Sequence, residues 1–504
     1  MILNPNVAQP YSLYSRRRQI IEIDLDPDND AKAVAYCCRA LPKGTQSRAA
    51  KRVQRFNSLA SVASWKPSLA SKHKSSIHSQ REWIQTTHVR IGRRLPCLDN
   101  SSNGSVTLPA FALHEAFFTF FRRRTEIPST NALKVANSVR IKSCDFFDNE
   151  DARSEALFNL LSPFLRDLRK DFAGSERNKK RNLKPDWFVG DWCNSTIPLQ
   201  MLIEVKVEAG SSGNADLQNV IYYCFHISSA PSLSNTSVYP MLIVSIDGTH
   251  FRVSAAIFLH AVQVLPIVEH NLLDPSQDED FARTLDAIRE CIECIRSSPT
   301  AACRIDLTNS ELLFPSFNKV DNIAFQYVGG LVRNVFHVHI SSGSPEFGIL
   351  KFTRHYNVDV HRKLEELGLA PVLIAHELCF GWKVILMEDA RREGFVTLSD
   401  ITFENIETVN EVMQAVLTAL VQIHDTCHVI IADLRAPNIL IRIHDLAIKF
   451  IDFDWSGEIG DSWPLVAKNE SINWPPNSDP GNALTFEHDF FMIDELRKDL
   501  EATI

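Results

Sequence analysis

The sequence predicts a multidomain protein of α/β and α+β class. Three observations lead there. The chain has 504 residues, 45% of them hydrophobic and 23% charged, which is enough apolar material for two or three cores. From residue 109 the pattern runs helix, strand, strand, helix, strand, which packs as an α/β sandwich. From residue 310 a separate strand-rich region leads into short apolar strands around residues 431–454 and a last helix. The expected boundaries are an irregular extension over 1–108, a sandwich over 109–272, a helical linker over 273–309 and a second domain over 310–504.

The extension holds one helical pattern, from Ser47 to Ser64. Residues 41–98 carry twelve Lys and Arg against the single acid Glu82, whereas the whole chain has a net charge of −8. Such a segment can neutralise phosphates or serve nuclear import, and it equally suits a solvated Ser-rich tail. Asn100 to Ser105 marks a boundary loop. Pro109–Arg124 and Asn149–Asp171 have helical periodicity, the second opening with acids that suit a helix N-terminus. Strands are expected over 183–207, a helix over 214–228, and two strands over 238–258 joined at Asp247-Gly248. Phe281 to Arg296 reads as an amphipathic helix. Its Cys291 and Cys294 share a face, and with no second pair they read as core rather than zinc ligands. Eleven cysteines without framework spacing fit a reducing intracellular compartment. The most apolar stretch, Ala255 to Val268, is broken by His260 and Gln263, so no membrane span is expected. No apolar segment follows the basic residues at the N-terminus, so no standard secretory signal is visible.

Met201 to Val207 is the centre of the first domain. Alternation puts Met201, Ile203, Val205 and Val207 on one face, and Glu204 with Lys206 on the other. Asp186 starts the preceding strand after a basic tract, Arg177 to Arg181, that suits either a solvated loop or a nucleic-acid backbone. Asp186 and Glu204 can converge on one Mg²⁺, with Lys206 orienting an attacking water or steadying a pentavalent phosphate. Gln218 and Tyr222, four apart on a helix, point toward that site, and Glu155 offers a third carboxylate. The ordered set resembles the PD-(D/E)XK nuclease superfamily, and Gln218-x-x-x-Tyr222 its RecB-like branch. That resemblance implies Asp186, Glu204 and Lys206 as catalytic residues, and Gln218 and Tyr222 as supporting ones.

In the second domain Asp433, Asn438 five residues on, and Asp452 after a short hairpin form a phosphoryl-transfer constellation. Asp433 can accept a hydroxyl proton, while Asn438 and Asp452 can hold Mg²⁺ between ATP phosphates. The region resembles the protein-kinase fold, most closely the divergent fungal-type protein kinases, with a reduced large lobe. The catalytic loop is matched by Asp433, Arg435 and Asn438, and the metal motif by Asp452-Phe453-Asp454, where Asp454 replaces the usual Gly. The resemblance implies that Lys351 binds phosphate, that Gly329 and Gly330 belong to the nucleotide loop, that Glu388 lies in the hinge gripping adenine, and that Asp489 braces the catalytic loop. It leaves the helix-borne partner of Lys351 open between Asp359, Glu365 and Glu366. Ile431-Ala432 replaces the usual His-Arg, which argues against control by a phosphorylated activation loop.

A nuclease-like domain joined to a divergent kinase resembles Crinkler-type effectors. This implies ATP- and Mg²⁺-dependent phosphotransfer to protein Ser/Thr, a nucleic-acid partner for the basic half, and action in a nucleus, its own or a host's. Alternatives are a metal-dependent nuclease with a regulatory pseudokinase, a small-molecule kinase, and an inert scaffold.

Overall fold

The computed structural model describes residues 2–3, 90–91, 108–170, 185–190, 199–207, 214–229, 239–258, 262–297, 315–332, 334–341, 345–464, 468 and 471–504. The Ser47–Ser64 helix, nearly all of the basic 41–98 segment and the Arg177–Arg181 tract lie outside the described residues. The chain divides into two compact units, Asp28–Phe317 and Met1–Pro27 with Asn318–Ile504.

The Asp28–Phe317 unit is built on a mixed seven-stranded sheet. Its elements are β1 (Arg90–Ile91), α1 (Ala110–Leu113), α2 (Glu115–Arg124), α3 (Thr130–Ser143), α4 (Glu150–Leu161), β2 (Leu168–Arg169), β3 (Trp187–Val189), β4 (Met201–Lys206), α5 (Ala215–Ser229), β5 (Met241–Asp247), β6 (His250–Phe258), β7 (Val262–Asn271) and α6 (Asp278–Ser297). The strand order is β1-β7-β6-β5-β4-β3-β2, with β4 parallel to β5 and the β5–β6 hairpin antiparallel. The expected turn is there: Asp247 faces His250, and Gly248 takes the left-handed φ of 56° that this tight reversal requires. Period-two alternation splits the sheet between two cores. Ile203, Val205, Val244, Ile246 and Val253 pack with α2, α3, α4 and α6 on one face. Leu202, Met241, Ile243 and Ala256 pack under α5 on the other. The α6 helix corrects the expected linker over 273–309. Phe281, Leu285, Ile288, Cys291, Ile292 and Ile295 are buried in the sheet core, so the amphipathic stripe is a core face of this unit, in line with the core reading of Cys291.

The other unit carries an antiparallel sheet of β8 (Lys319–Val320), β9 (Ile323–Val332), β10 (Val335–Ile340), β11 (Phe347–Thr353), β12 (Leu373–Cys379) and β13 (Trp382–Glu388), in the order β12-β13-β11-β10-β9-β8. Helix α7 (Val358–Glu366) follows β11. A three-stranded sheet of β14 (Phe395–Thr397), β15 (Ile439–Arg442) and β16 (Ala447–Phe450) then accompanies the long α8 (Ile406–Cys427) and α9 (Phe486–Glu501). Asn405 caps α8 through Thr408 N at 2.9 Å, and its apolar stripe from Val409 to Ile423 meets Ile439, Ile441 and Phe450 in one core. Trp463, fully buried, packs with Trp455 and Trp474 against Ile430 and Ala432. The chain after β16 thereby lies against the Ile431–Asn438 loop. No helix among the described residues is long and apolar enough to cross a membrane.

Candidate functional site

Sheet register assembles the first cluster. Trp187 pairs with Ile203, which sets Asp186 beside Glu204 at the end of two adjacent strands. The Asp186 carboxylate accepts Val205 N at 2.8 Å, fixing that placement. The third carboxylate is Glu150, not Glu155. Ligand oxygens of Glu150, Asp186 and Glu204 lie within 4.8 Å of one another. Glu155, one turn further along α4, has a largely exposed side chain that pairs with Lys170 and accepts from Asn159. The correction follows from helix geometry. Asn149 caps α4 through Ala152 N at 2.9 Å, so the first-turn acid Glu150 sits at the helix end nearest the strand termini.

Lys206 Nζ donates to Glu150 at 2.8 Å and to Glu204 at 2.9 Å. Burial opposes its charge, yet Glu204 and Glu150 outweigh it and hold the amine's pKa above the ordinary lysine value. Tyr222 is pushed well above the usual phenol range, first by burial and then by Glu204, Asp186 and Glu150. The hydroxyl thus senses all three carboxylates, and Gln218 is buried one turn earlier on the same helix. Around them stand residues that the sequence reading passed over. Asn219 donates to Val244 O at 2.9 Å, Arg252 reaches Asp247 and Asp216 at 3.1 Å each, and Ser245 and Asp247 share the face of Glu204 and Lys206. Three hard oxygen donors beside a buried ammonium fit a divalent cation such as Mg²⁺ or Mn²⁺.

The second cluster lies in the Asn318–Ile504 unit. Asp433 is almost fully buried and takes two hydrogen bonds from Arg435, the Nη2 bond at 2.7 Å. Asn438 Nδ2 donates to the Asp433 carboxylate at 2.9 Å and to its carbonyl at 3.0 Å. Ile451 N donates to Asn438 O at 2.9 Å, tying this loop to the one carrying Asp452. Arg435 is held charged by Asp433 and, further off, by Asp452. Asp489, fully buried on α9, accepts Ile431 N at 3.0 Å, Ala432 N at 2.7 Å and His424 Nε2 at 2.9 Å.

Lys351 Nζ on β11 lies 2.6 Å from Asp452 and 2.7 Å from Asp454. Burial opposes ionisation of Asp452, but Lys351 outweighs it and holds that carboxyl low. Asp454 is pushed up to about 7 by burial and by Asp452. None of the three acids expected from α7 meets Lys351 among the described contacts. Asp359 lies in the first turn, Glu365 accepts Leu373 N at 2.9 Å, and the inward residues of α7 are Val360, His361 and Leu364. The nucleotide residues are placed as follows. Gly329 and Gly330 lie within β9 at irregularities in its pairing with β10, not in the turn, where Asn334 takes the left-handed φ of 54°. Glu388 ends β13, where its N–H donates to Val372 O at 2.9 Å and its carboxylate lies 3.8 Å from Lys449 Nζ.

The architecture is a mixed α/β chain with several sheets and two buried polar clusters of acid and lysine. No protein-family model and no curated protein sequence matches it. Among solved structures, the kinase PK-1 of Cydia pomonella granulovirus is similar at a TM-score of 0.30 and 15% identity, over 36% of this chain and 69% of that one. A likeness this slight carries no weight for function.

Proposed function

We propose that the Asn318–Ile504 unit is a divergent, ATP- and Mg²⁺-dependent phosphotransferase acting on a hydroxyl, with a protein Ser/Thr side chain as the substrate class. The observation that carries this reading is the linked array Lys351–Asp452 and Asp433–Asn438, tied through Ile451 N and the Asn438 carbonyl. Asp433 takes the hydroxyl proton, with its orientation set by Arg435 and Asn438. Lys351 grips phosphate oxygens. Asn438 and Asp452 supply the oxygens for Mg²⁺, which when bound neutralises charge on the phosphates. Asp489 holds the loop on which Asp433 stands. Transfer of labelled phosphate from ATP by wild type, lost in both Asp433→Ala and Asp452→Ala, tests this. Label unchanged in either variant overturns it.

A second activity is favoured by Glu150, Asp186, Glu204 and Lys206. We infer a metal-dependent phosphodiesterase of nuclease type in the Asp28–Phe317 unit. The three carboxylates hold the cation, and Lys206 orients water or steadies charge on the phosphate. The basic stretches at 41–98 and 177–181 suit a nucleic-acid backbone, and a nuclear, effector-like role is proposed on the resemblance to Crinkler-type effectors alone. Cleavage of DNA or RNA that is lost in Glu204→Ala and kept in Asp433→Ala supports it. Equal cleavage by wild type and Glu204→Ala rules it out.

A further inference from the structure

Lys351 has no acid from α7, yet it is not loosely held. Its ammonium sits between Asp452 and Asp454, at 2.6 and 2.7 Å. The other oxygen of Asp454 lies 2.9 Å from the hydroxyl of Thr353, two residues beyond Lys351 on the same face of β11. Asp454 therefore touches β11 twice and is fixed by that strand. Helix α7 is in turn anchored to the Asp452–Ser456 segment rather than to Lys351. Asn357 N donates to Phe453 O at 2.9 Å, Asn357 Nδ2 donates to Ser456 O at 3.2 Å, and the His361 ring packs 5.0 Å from that of Phe453.

We propose that Asp454 is the positioning residue for Lys351, supplying from the metal-binding loop the carboxylate that aims its ammonium at the phosphates of ATP. The inference rests on the phosphotransfer reading. A lysine that grips phosphate must stay extended across the cleft, and its long flexible stem requires a fixed counter-charge. Asp452 cannot serve throughout, because its oxygens are also needed by Mg²⁺. Asp454, two residues on and bonded to Thr353, remains on Lys351 when Asp452 turns to the cation. One short segment then sets both the metal and the lysine, with no carboxylate contributed by α7.

The test is kinetic, with an independent structural arm. Asp454→Asn and Asp454→Gly are expected to raise KM for ATP about tenfold or more and to lower kcat/KM further, with partial recovery in Asp454→Glu. Asp359→Asn and Glu365→Gln are expected to behave as wild type. Wild-type KM in Asp454→Asn, or a comparable loss in Glu365→Gln, overturns the proposal. The second arm is a double-mutant cycle of Lys351→Met with Asp454→Asn, read by urea unfolding without nucleotide. Non-additivity in this pair, and additivity of Lys351→Met with Glu365→Gln, is expected. Should wild type neither bind nor turn over Mg–ATP, the phosphotransfer reading fails, and the role of Asp454 in aiming Lys351 at ATP fails with it. A non-additive cycle then still shows that the tether exists, which keeps the two failures apart.

Discussion

The carboxylate of Asp489, fully buried on α9, lies 2.7 Å from the backbone nitrogen of Ala432. Ala432 has a φ of 67°, and Asp433 N donates across it to Ile431 O at 2.9 Å, forming a γ-turn. A non-glycine residue in that conformation costs about 1–2 kcal/mol and persists only where its surroundings impose it. Asp489 imposes it by accepting the first two amides of the turn, Ile431 N and Ala432 N.

Asp489→Ala is therefore expected to leave two buried N–H groups and His424 without their acceptor. The cost is about 3 kcal/mol or more, read as a fall in the urea midpoint at unchanged slope. Phosphotransfer should fall with it, because Asp433 is the next residue after the strained one. Asp489→Asn keeps one acceptor oxygen and is expected to lie between wild type and alanine.

The nuclease-type cluster makes a sharper prediction about metal. Wild type should gain melting temperature on addition of Mg²⁺ or Mn²⁺, since the ion binds the folded state. Glu150→Gln removes one of three charged ligands and should weaken that response about tenfold in apparent affinity, whereas Glu155→Gln should not change it. Equal responses in the two variants would overturn Glu150 as the third ligand.

Lys206 and the cation stand in the same relation to Glu204. Without metal, Lys206→Met leaves a buried carboxylate facing two others, a loss of about 3–5 kcal/mol for a broken buried pair. Mg²⁺ should restore a large part of that, because a divalent ion supplies the missing positive charge. A melting temperature of Lys206→Met that is insensitive to Mg²⁺ would show that the carboxylates hold no ion.

Much of both sites was legible because it depended on local spacing. Glu204-x-Lys206 on one strand, Asp433 to Asn438 on one loop, and the Asp247-Gly248 reversal all follow from period and turn chemistry. What was not legible depended on which segments meet. Glu150 and Glu155 lie on one helix, and only the angle at which α4 meets the sheet selects the first; the Asn149 cap was the available signal. The contact of Lys351 with Asp454 spans about a hundred residues and leaves no local pattern, although Val360 and Leu364, four apart in α7, did mark an apolar inward face without Asp359, Glu365 or Glu366. Helix α6 showed its stripe plainly, but a stripe does not say what covers it.

Buried histidines, His226 and His270 among them, contribute to the acid limit of the Asp28–Phe317 unit. His226 and His270 are each pushed down to about 4 from 6.5, chiefly by burial. His270 lies against Thr284, with Asp280 raising and Arg124 lowering its pKa. The unfolded chain protonates both near 6.5, whereas the fold keeps both neutral down to about 4. Their stabilising contribution is thus complete above pH 6.5 and is lost as pH falls toward 4, by up to about 3 kcal/mol each. Unfolding free energy measured from pH 7.5 to 4.5 should decline over that window, and less steeply in His270→Gln.

Asn438 separates the electrostatic part of the catalytic loop from its shape. Its amide nitrogen donates to both the carboxylate and the carbonyl of Asp433, so the side chain is needed there as a donor. Asn438→Asp preserves volume and could still offer oxygen to Mg²⁺, but it turns an attraction into a repulsion between buried oxygens. Asn438→Ala merely removes the donor. The isosteric change should therefore be the more damaging at pH 7.5, by about 2 kcal/mol beyond alanine. The introduced carboxyl, raised by burial and by Asp433, is neutral at low pH and can then donate as the amide did. Its penalty should shrink as pH falls to 5, while that of alanine stays constant. Urea midpoints of the two variants at both pH values check this. A pH-independent gap would mean that the amide of Asn438 matters for its size and not for its protons.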